Sequence, residues 1–214
     1  MRRVFLIFCT ASLLAGCSVV GIRSGYEQPS YVIIDKLKTH IQIREIPPKI
    51  VVGTTVDIAD YNEGRRVAFR RLFDYISGAN ISKTSLDMTV PIESTGISEK
   101  ISMTAPVESV RNSKGHMEMR FFLPKYLSLE KAPRPTNSEV YLLEQPAELQ
   151  AVLRFNGSTN EHIVTLKGME LLQELESSSW DVISKPTTYS YDPPWTLPIF
   201  RRNEVVVTVM PKTN

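Results

Sequence analysis

One predicted helix carries two phenylalanines on its apolar stripe and an arginine at the edge of that stripe. Residues 63–77 have helical period, and their apolar side chains fall on one stripe at about 100° per residue: Ala68, Phe69, Leu72, Phe73, Tyr75 and Ile76. Arg66 lies at the rim of this stripe, next to Phe73. Two phenyl rings beside a guanidinium suit a flat apolar molecule with carboxylates, because a guanidinium binds a carboxylate through two hydrogen bonds. The alternative is that both phenylalanines pack the helix on a sheet.

The other candidates for chemistry are histidines and methionines. His40, His116 and His162 have no metal-ligand partner at short spacing, so we predict that they are exposed. Met88 and Met103 could offer sulfur to a metal, but we favour core filling, because methionine fits irregular apolar space. The sequence contains no nucleophile elbow, phosphate loop or paired-carboxylate motif. We therefore predict that the protein is not an enzyme.

The charge of the chain argues against a nucleic-acid partner. The formal net charge is +2 at pH 7, and the chain has no long basic run. Its densest basic group lies on the predicted helix: Arg65, Arg66, Arg70 and Arg71. We interpret this group as a basic face in contact with solvent, of which Arg66 alone has a proposed role in binding.

The beginning of the chain has the features of an export signal in the required order. Two arginines precede an apolar run at residues 4–14, which has the length of a secretory signal core. The run closes with Leu14-Ala15-Gly16-Cys17, which resembles the lipobox of bacterial lipoproteins, where the cysteine is lipidated. We predict a signal peptide at residues 1–16 and a lipidated tether at residues 17–29. The alternative is an ordinary cleaved signal with an incidental cysteine.

The predicted lipid on Cys17 would place the protein in the bacterial cell envelope. In bacterial lipoproteins an aspartate after the cysteine commonly signals retention in the inner membrane. This chain has Ser18, so we predict the outer membrane, with the domain facing the periplasm. Each buried methylene contributes about 0.8 kcal/mol, so more than one acyl chain should anchor the protein stably. Cys9 lies in the predicted signal, which leaves the mature domain without a disulfide.

Strand patterns surround the predicted helix. A methionine-threonine-x-proline pattern occurs at residues 88–92 and 103–107. Each copy predicts the end of a strand, because proline removes a ladder donor, and the polar residues between them predict a hairpin loop. Residues 125–138 are predicted to form an extended, exposed loop. Further strands are predicted at residues 31–37, 39–46, 49–56 and 116–123.

The chain contains an internal repeat at an offset of 99 residues. Residues 43–47 align with residues 142–146, and the predicted helix aligns with a second helical stretch at residues 163–176. The same offset aligns residues 88–92 with residues 187–191. The repeat rests on the shared order of elements more than on shared residues. It predicts an α+β fold at residues 30–211: a distorted antiparallel β-barrel of two pseudo-symmetric βαββ halves with two flanking α-helices.

Four motifs occur in the order of one known family. They are AFRRLFDYISGAN at residues 68–80, KISMTAPV at 100–107, YDPPW at 191–195 and RRNEV at 201–205. Together they resemble the SOUL haem-binding protein family, and the resemblance runs from about residue 26 to residue 209. It implies a distorted barrel of two βαββ halves, which agrees with the fold that the repeat predicts.

The resemblance also implies a function, which is non-covalent tetrapyrrole binding in an apolar depression beside the first helix, without known catalysis. In haem-binding relatives this helix presents a basic residue followed by apolar residues three and seven positions later. Those positions fall on Arg66, Phe69 and Phe73. Trp195 and Arg201, near the last two motifs, complete the predicted cofactor-binding residues. The possible cofactor is haem, and no axial ligand is identified.

Three positions depart from the pattern of the relatives. Asp74 and Thr196 stand where relatives have lysine, the second directly after the paired-proline motif. Glu45 stands where some vertebrate members have a histidine that has been proposed as an iron ligand. These changes remove basic groups and a ligand from the surroundings of the predicted site.

Our leading functional hypothesis is a lipid-anchored cell-envelope protein that binds haem or another tetrapyrrole for carriage or buffering. A second hypothesis is a binding module for another apolar or cationic small molecule, since the doubled βαββ architecture resembles bacterial effector-binding domains. Asp74 beside the apolar stripe favours that hypothesis. A third is a structural or interaction lipoprotein that has no ligand.

Overall fold

The computed structural model describes residues 21, 23, 25–83 and 97–213, which therefore leaves out the predicted signal peptide and Cys17. In chain order the strands are β1 Val32–Lys38, β2 Ile41–Ile46, β3 Lys49–Val56, β4 Asn80–Ile81, β5 Val107–Arg111, β6 Met117–Phe122, β7 Arg134–Pro135, β8 Val140–Gln145, β9 Glu148–Phe155, β10 Trp180–Val182, β11 Thr187–Ser190 and β12 Asn203–Pro211. Helix α1, Tyr61–Ser77, follows β3, and helix α2, Glu161–Glu176, follows β9. A 3-10 turn at Pro198–Phe200 precedes β12. Within the described residues, no helix is long and apolar enough to cross a bilayer.

One antiparallel sheet contains most of the strands. Its order is β1-β2-β9-β12-β11-β5-β6-β3-β8, with β10 beside β12, while β4 and β7 form a separate ribbon. Strands β1 and β8 stand at its two ends, so the sheet is an open, distorted barrel. Helix α1 packs on β3, β6 and β8, and helix α2 packs on β9, β10 and β12.

Both helices cover the same face of this sheet. Residues paired across neighbouring strands point to the same face of a sheet. Phe121 of β6 pairs with Val107 of β5. Ser109, two residues further along β5 and so on the same face, pairs with Thr188 of β11, which in turn pairs with Val205 of β12. Phe121 belongs to the apolar cluster under α1, and Val205 belongs to the cluster under α2. The opposite face carries a third buried cluster: Val51, Ala105, Phe122, Val152, Tyr189, Tyr191 and Val206. Neither helix covers that face, so the sheet must curl around its own side chains.

The repeat at 99 residues is confirmed for the first elements of each half. Strand β8 begins and ends 99 residues after β2, strand β9 does so after β3, and α2 ends 99 residues after α1. The two halves also pair with each other symmetrically. Ile46 of β2 pairs with Glu148 of β9, and Lys49 of β3 pairs with Gln145 of β8. The predicted fold of two pseudo-symmetric halves with two flanking helices is therefore confirmed. Residues 88–92, which the repeat aligned with β11, lie outside the described residues.

Two local predictions are wrong. Residues 103–107 do not end a strand, because β5 begins at Val107, after Pro106, and Thr104 makes only an isolated bridge with Glu27. The loop at residues 125–138 is not wholly exposed, since Leu127 and Ala132 are buried in the cluster under α1 and β7 pairs with β4. In both places contacts with distant segments override the local sequence pattern.

Helix α1 is closed by its flanking residues at both ends. The Asp60 side chain accepts a hydrogen bond from the Glu63 backbone N–H at 2.7 Å, which satisfies one of the unpaired donors of the first turn. At the other end Gly78 has φ 126°, which an L side chain rarely adopts, and its N–H bonds back to the last turn.

Replacing Asp60 by alanine is expected to lower the free energy of unfolding by about 1 kcal/mol, because the cap is lost. Urea denaturation followed by circular dichroism measures the change. Asn62→Ala is the matched control, since Asn62 is an exposed residue of the same turn. Equal unfolding midpoints for the two variants would contradict the assignment of the cap.

Candidate functional site

Phe69 and Phe73 lie on the flank of α1, beside the face that packs on the sheet. Ala68 and Leu72 of the same predicted stripe are fully buried, whereas Phe69 is 39% and Phe73 is 46% exposed. The apolar stripe is therefore wider than the contact between helix and sheet. What remains outside that contact is a pair of aromatic side chains open to solvent, which we call the aromatic shelf.

The two rings of the aromatic shelf are stacked. Their centroids are 6.0 Å apart and their planes differ by 14°. Phe69 also contacts the buried Phe121 of β6, with centroids 5.2 Å apart and an interplanar angle of 59°. Aromatic pairs in such arrangements attract each other, so the core residue supports the shelf. The result is an exposed aromatic surface that is held in place from beneath.

Arg66 lies one turn of the helix before the shelf and is exposed. Its Nε donates to Oε2 of Glu63 at 2.7 Å, and a second N–H donates to Oε1. These hydrogen bonds hold the pKa of the Glu63 carboxyl below its ordinary value. Exposed ion pairs are weak in water, so a carboxylate of a ligand on the shelf can replace Glu63 as the partner of Arg66.

The predicted solvent-exposed basic face is wrong for two of its four arginines. Arg65 donates to the backbone oxygen and to Oγ1 of Thr159, at 3.0 Å each. Arg71 pairs with Glu139 at 2.8 Å. Both guanidiniums tie α1 to neighbouring segments, which leaves Arg66 and Arg70 as the exposed basic residues of the group.

Trp195 and Arg201 lie in the loop at residues 191–202, which we call the 191–202 loop. Trp195 is exposed, and the Arg201 guanidinium donates to the backbone oxygens of Thr196 at 2.7 Å and Pro194 at 2.5 Å. Over the described ranges, no hydrogen bond, ion pair or ring contact joins these two side chains to the aromatic shelf. Their part in ligand binding stays a prediction.

Two of the three histidines pair with a carboxylate, and the prediction that all three are exposed is wrong for His116, which is half-buried. His40 Nε2 lies 3.3 Å from Glu170, and His116 Nε2 lies 3.1 Å from Asp57, while His162 is exposed. In the part of the chain that the structure describes, no group of three or more histidine, cysteine or acidic side chains is placed to hold a metal ion. Met103 packs against the cluster under α1, which confirms its role in the core, and Met88 lies outside the described residues.

A family model matches the sequence over most of its length. The model is described as SOUL heme-binding protein, and it matches residues 26–208. The chain belongs to the SOUL family. This match confirms the resemblance inferred from the four motifs. The property by which the family is described is heme binding. No curated protein matches the sequence.

Solved structures share the fold of this SOUL protein at low sequence identity. The C-terminal domain of EcmrR is similar with a TM-score of 0.57 and 12% identity, over 80% of this chain and 98% of that one. An uncharacterized conserved protein from Listeria innocua has a TM-score of 0.51 and 13% identity, over 87% and 94%. Similarity at this identity concerns the fold alone.

The three departures from the SOUL pattern occupy different surroundings. Asp74 is exposed on α1 directly after Phe73, and Glu45 is exposed in β2. Thr196 is fully buried within the 191–202 loop. The first change therefore introduces a carboxylate next in sequence to the aromatic shelf, while the third lies beneath the surface.

A cavity that the sequence did not predict lies at the turn between β2 and β3. Its volume is about 460 Å³, and its walls include Pro47, Pro48, Lys49, Phe122 and Leu127. The Lys49 ammonium lies 5.0 Å from the centroid of the Phe122 ring. In the sequence, Pro47, Pro48 and Lys49 were a possible signal for this cavity. The wall is completed by Phe122 of β6, which is distant from them in the chain.

A buried polar network on the inner, helix-free face of the sheet was also missed. Glu204 accepts hydrogen bonds from Arg44, Arg202 and Tyr191, and Glu108 pairs with Arg120 at 2.6 Å on the same face. Burial raises the pKa of the Tyr191 hydroxyl well above its ordinary value. Polar residues that alternate along a strand usually predict a solvated face, so the sequence carried no signal for this burial.

Proposed function

We propose that this SOUL protein is a lipid-anchored protein of the bacterial cell envelope that binds haem or another tetrapyrrole non-covalently on the aromatic shelf, for carriage or buffering. Membership of a family described as heme-binding supports the choice of ligand class. The order of charged residues, apolar run and Leu14-Ala15-Gly16-Cys17 supports the anchor. Arg66, Phe69 and Phe73 are the residues that we expect to contact the ligand.

The observation that carries the proposal is the open, stacked pair Phe69 and Phe73. More than a third of each residue remains in contact with solvent although both residues adjoin the core. A flat macrocycle laid on these rings would remove apolar surface from water, and burial stabilises by roughly 25 cal/mol per Å². Arg66 at the rim can pair with a carboxylate of the macrocycle. Among residues 25–83 and 97–213, no side chain covers the two rings completely.

Titration of the protein with haem and with protoporphyrin, followed by absorption spectroscopy, tests the proposal. We expect both ligands to show a shifted Soret band on binding, because the shelf recognises the ring and offers no axial ligand. Binding of haem alone would instead indicate an iron ligand outside the residues assigned to the shelf. Unaltered spectra of both ligands at micromolar protein would refute the proposal.

Replacing Arg66 by glutamine is expected to weaken haem binding by roughly ten- to a hundredfold, since a hydrogen bond to a charged group contributes about 1.5–3 kcal/mol. Lys185→Gln removes the same charge from an exposed side chain between β10 and β11 and serves as the control. The dissociation constants come from the same absorption titration. Equal losses in the two variants would assign the effect to net charge and not to Arg66.

A flat aromatic cation is the second candidate ligand, and the exposed carboxylate of Asp74 next to Phe73 favours it. Ethidium, a fluorescent cation of this kind, is a suitable probe. Displacement of bound ethidium by haem would place both ligands on one surface. Tight ethidium binding that weakens in Asp74→Asn, together with no haem binding, would favour the second candidate.

A further inference from the structure

The 191–202 loop displays four large apolar side chains to solvent within six residues. Trp195 is 63% and Ile199 is 69% exposed, and Leu197 and Phe200 are also exposed. Single exposed apolar residues are common, but a contiguous group of this size usually marks an interaction site. The aromatic shelf on α1 does not account for these side chains, because the described contacts of the loop are with other segments.

The loop holds these side chains outward by a set of hydrogen bonds from its own residues. Arg201 binds the carbonyls of Pro194 and Thr196, and Asp192 accepts from the Arg202 backbone N–H at 2.7 Å. The Phe200 backbone N–H donates to the Leu197 carbonyl at 2.9 Å. The apolar groups are therefore presented by an ordered loop and are not exposed because the loop lacks structure.

Two residues that follow the predicted lipid attachment site, Gly21 and Arg23, contact the same loop. Arg23 pairs with Asp192 at 2.7 Å and donates to the Phe200 carbonyl oxygen at 2.5 Å. Gly21 lies so close that a Cβ on it would be 2.7 Å from that oxygen. Gly21 and Arg23 therefore lie against the apolar loop.

Few residues separate this contact from Cys17 in the sequence. Cys17 precedes Gly21 by four residues, and four residues of extended chain span at most about 14 Å. If Cys17 carries acyl chains in a membrane, Phe200 and its neighbours must lie near that membrane surface. A tryptophan among aliphatic side chains is the composition that favours the interface between lipid and water.

We propose that the 191–202 loop is a membrane-docking surface, which inserts Trp195, Leu197, Ile199 and Phe200 into the lipid interface beside the anchor. This inference rests on the lipid anchor of the proposed function and is independent of tetrapyrrole binding. It assigns Trp195 to a lipid contact and gives the domain a fixed orientation on the membrane. Arg23 couples the tether to the docked loop through Asp192.

Tryptophan fluorescence of the full lipidated protein in vesicles tests this inference. The protein is reconstituted into phosphatidylethanolamine–phosphatidylglycerol vesicles whose acyl chains are brominated, because bromine quenches tryptophan on contact. The chain has two tryptophans, Trp180 and Trp195, and Trp180 is buried. The difference between the wild type and Trp195→Phe therefore reports Trp195 alone. We expect Trp195 to lose most of its emission in brominated vesicles and Trp180 to keep its emission.

A pair of double variants shows whether the apolar loop itself produces the contact. Leu197→Gln with Ile199→Gln is expected to restore most of the Trp195 emission while the lipid still anchors the protein. Leu166→Gln with Met169→Gln removes two exposed apolar side chains from α2 and should leave the quenching unchanged. Equal quenching in all variants would show that proximity to the anchor, and not the loop, brings Trp195 to the lipid.

The remaining outcomes separate failure of the docking surface from failure of the proposed function. Mass spectrometry of the purified protein reports acylation of Cys17, and its absence would overturn both the anchor and the docking surface. Acylation without quenching of Trp195 would overturn the docking surface alone. Quenching of Trp195 by haem, with none by brominated lipid, would assign the loop to the ligand site. A dimeric mass of the protein in detergent that becomes monomeric in Leu197→Gln with Ile199→Gln, together with no quenching by brominated lipid, would assign the loop to contact between copies of the chain.

Discussion

Replacing Glu204 by glutamine is expected to lower the free energy of unfolding by about 3–5 kcal/mol, the usual cost of removing one partner from a buried ion pair. Its side chain is 1% exposed, and that of Arg44 is 7% exposed. A loss of this size is a large fraction of the 5–15 kcal/mol that typically stabilises a domain. Chemical denaturation in urea measures it.

The reason lies in the groups that surround the Glu204 carboxylate. Arg44 donates to both of its oxygens at 3.1 Å, Arg202 donates to Oε1 at 2.8 Å, and the Tyr191 hydroxyl donates to Oε2 at 2.8 Å. A neutral amide at this position would leave two guanidiniums near each other without a compensating charge. The cost comes from the unpaired charges, since the intact network need not be more stable than an apolar one.

Glu174→Gln is the matched control for Glu204→Gln. Glu174 pairs with Lys38 at 2.5 Å, but the two side chains are 30% and 50% exposed. Exposed pairs contribute about 0–1 kcal/mol, so the unfolding midpoint should scarcely move. Similar losses for the two variants would show that the inner network is hydrated and that burial does not set its energy.

Leu72→Ala is expected to cost about 2–5 kcal/mol, because a fully buried leucine leaves a cavity under α1. Phe73→Ala, at the next residue, is expected to cost about 1 kcal/mol, since roughly half of that side chain is already in water. The ligand affinities should change in the opposite order: Phe73→Ala should abolish most haem binding and leave the fold intact. Urea denaturation and the haem titration measure the two effects on the same samples.

The pair of variants distinguishes a binding shelf from a packing face. If Phe73 mainly packs α1 on the sheet, its removal would cost as much stability as the removal of Leu72. Phe73→Leu serves as the control, because it keeps an apolar group and loses the aromatic surface. Retention of haem affinity in Phe73→Ala would refute the assignment of the shelf.

Several elements could be predicted from the sequence because their local pattern and their tertiary surroundings agree. Strand β3 was predicted at its observed bounds, and Met117, Met119 and Phe121 of β6 alternate as predicted and are buried. Helix α1 extends two residues before the predicted start, to the residue after its Asp60 cap. The prediction of the repeat was correct for a further reason. Strand β2 pairs with β9 and β8 pairs with β3, so each half contributes a strand to the other and both halves need the same spacing between these strands.

The failures have physical causes in contacts that are remote in sequence. Only an isolated bridge at Thr104 precedes Pro106, and β5 begins beyond the proline, because its partners β6 and β11 pair with residues 107–111. The loop before β8 is drawn inward where Leu127 and Ala132 meet the core under α1. Arg65 and Arg71 found partners on other segments, which helical periodicity cannot reveal.

By itself the sequence determined the first helix, most of the strands that flank it, the doubled half and the family. Local periodicity and turn residues encode the elements and the short motifs encode the family, so these features can be read without knowledge of the packing. Only the tertiary structure decided that Phe69 and Phe73 stay open beside a supporting Phe121 and that Glu204 is buried on the inner face. Both outcomes depend on how the sheet curls, because its curvature determines which side chains of a strand or helix meet other side chains and which meet water.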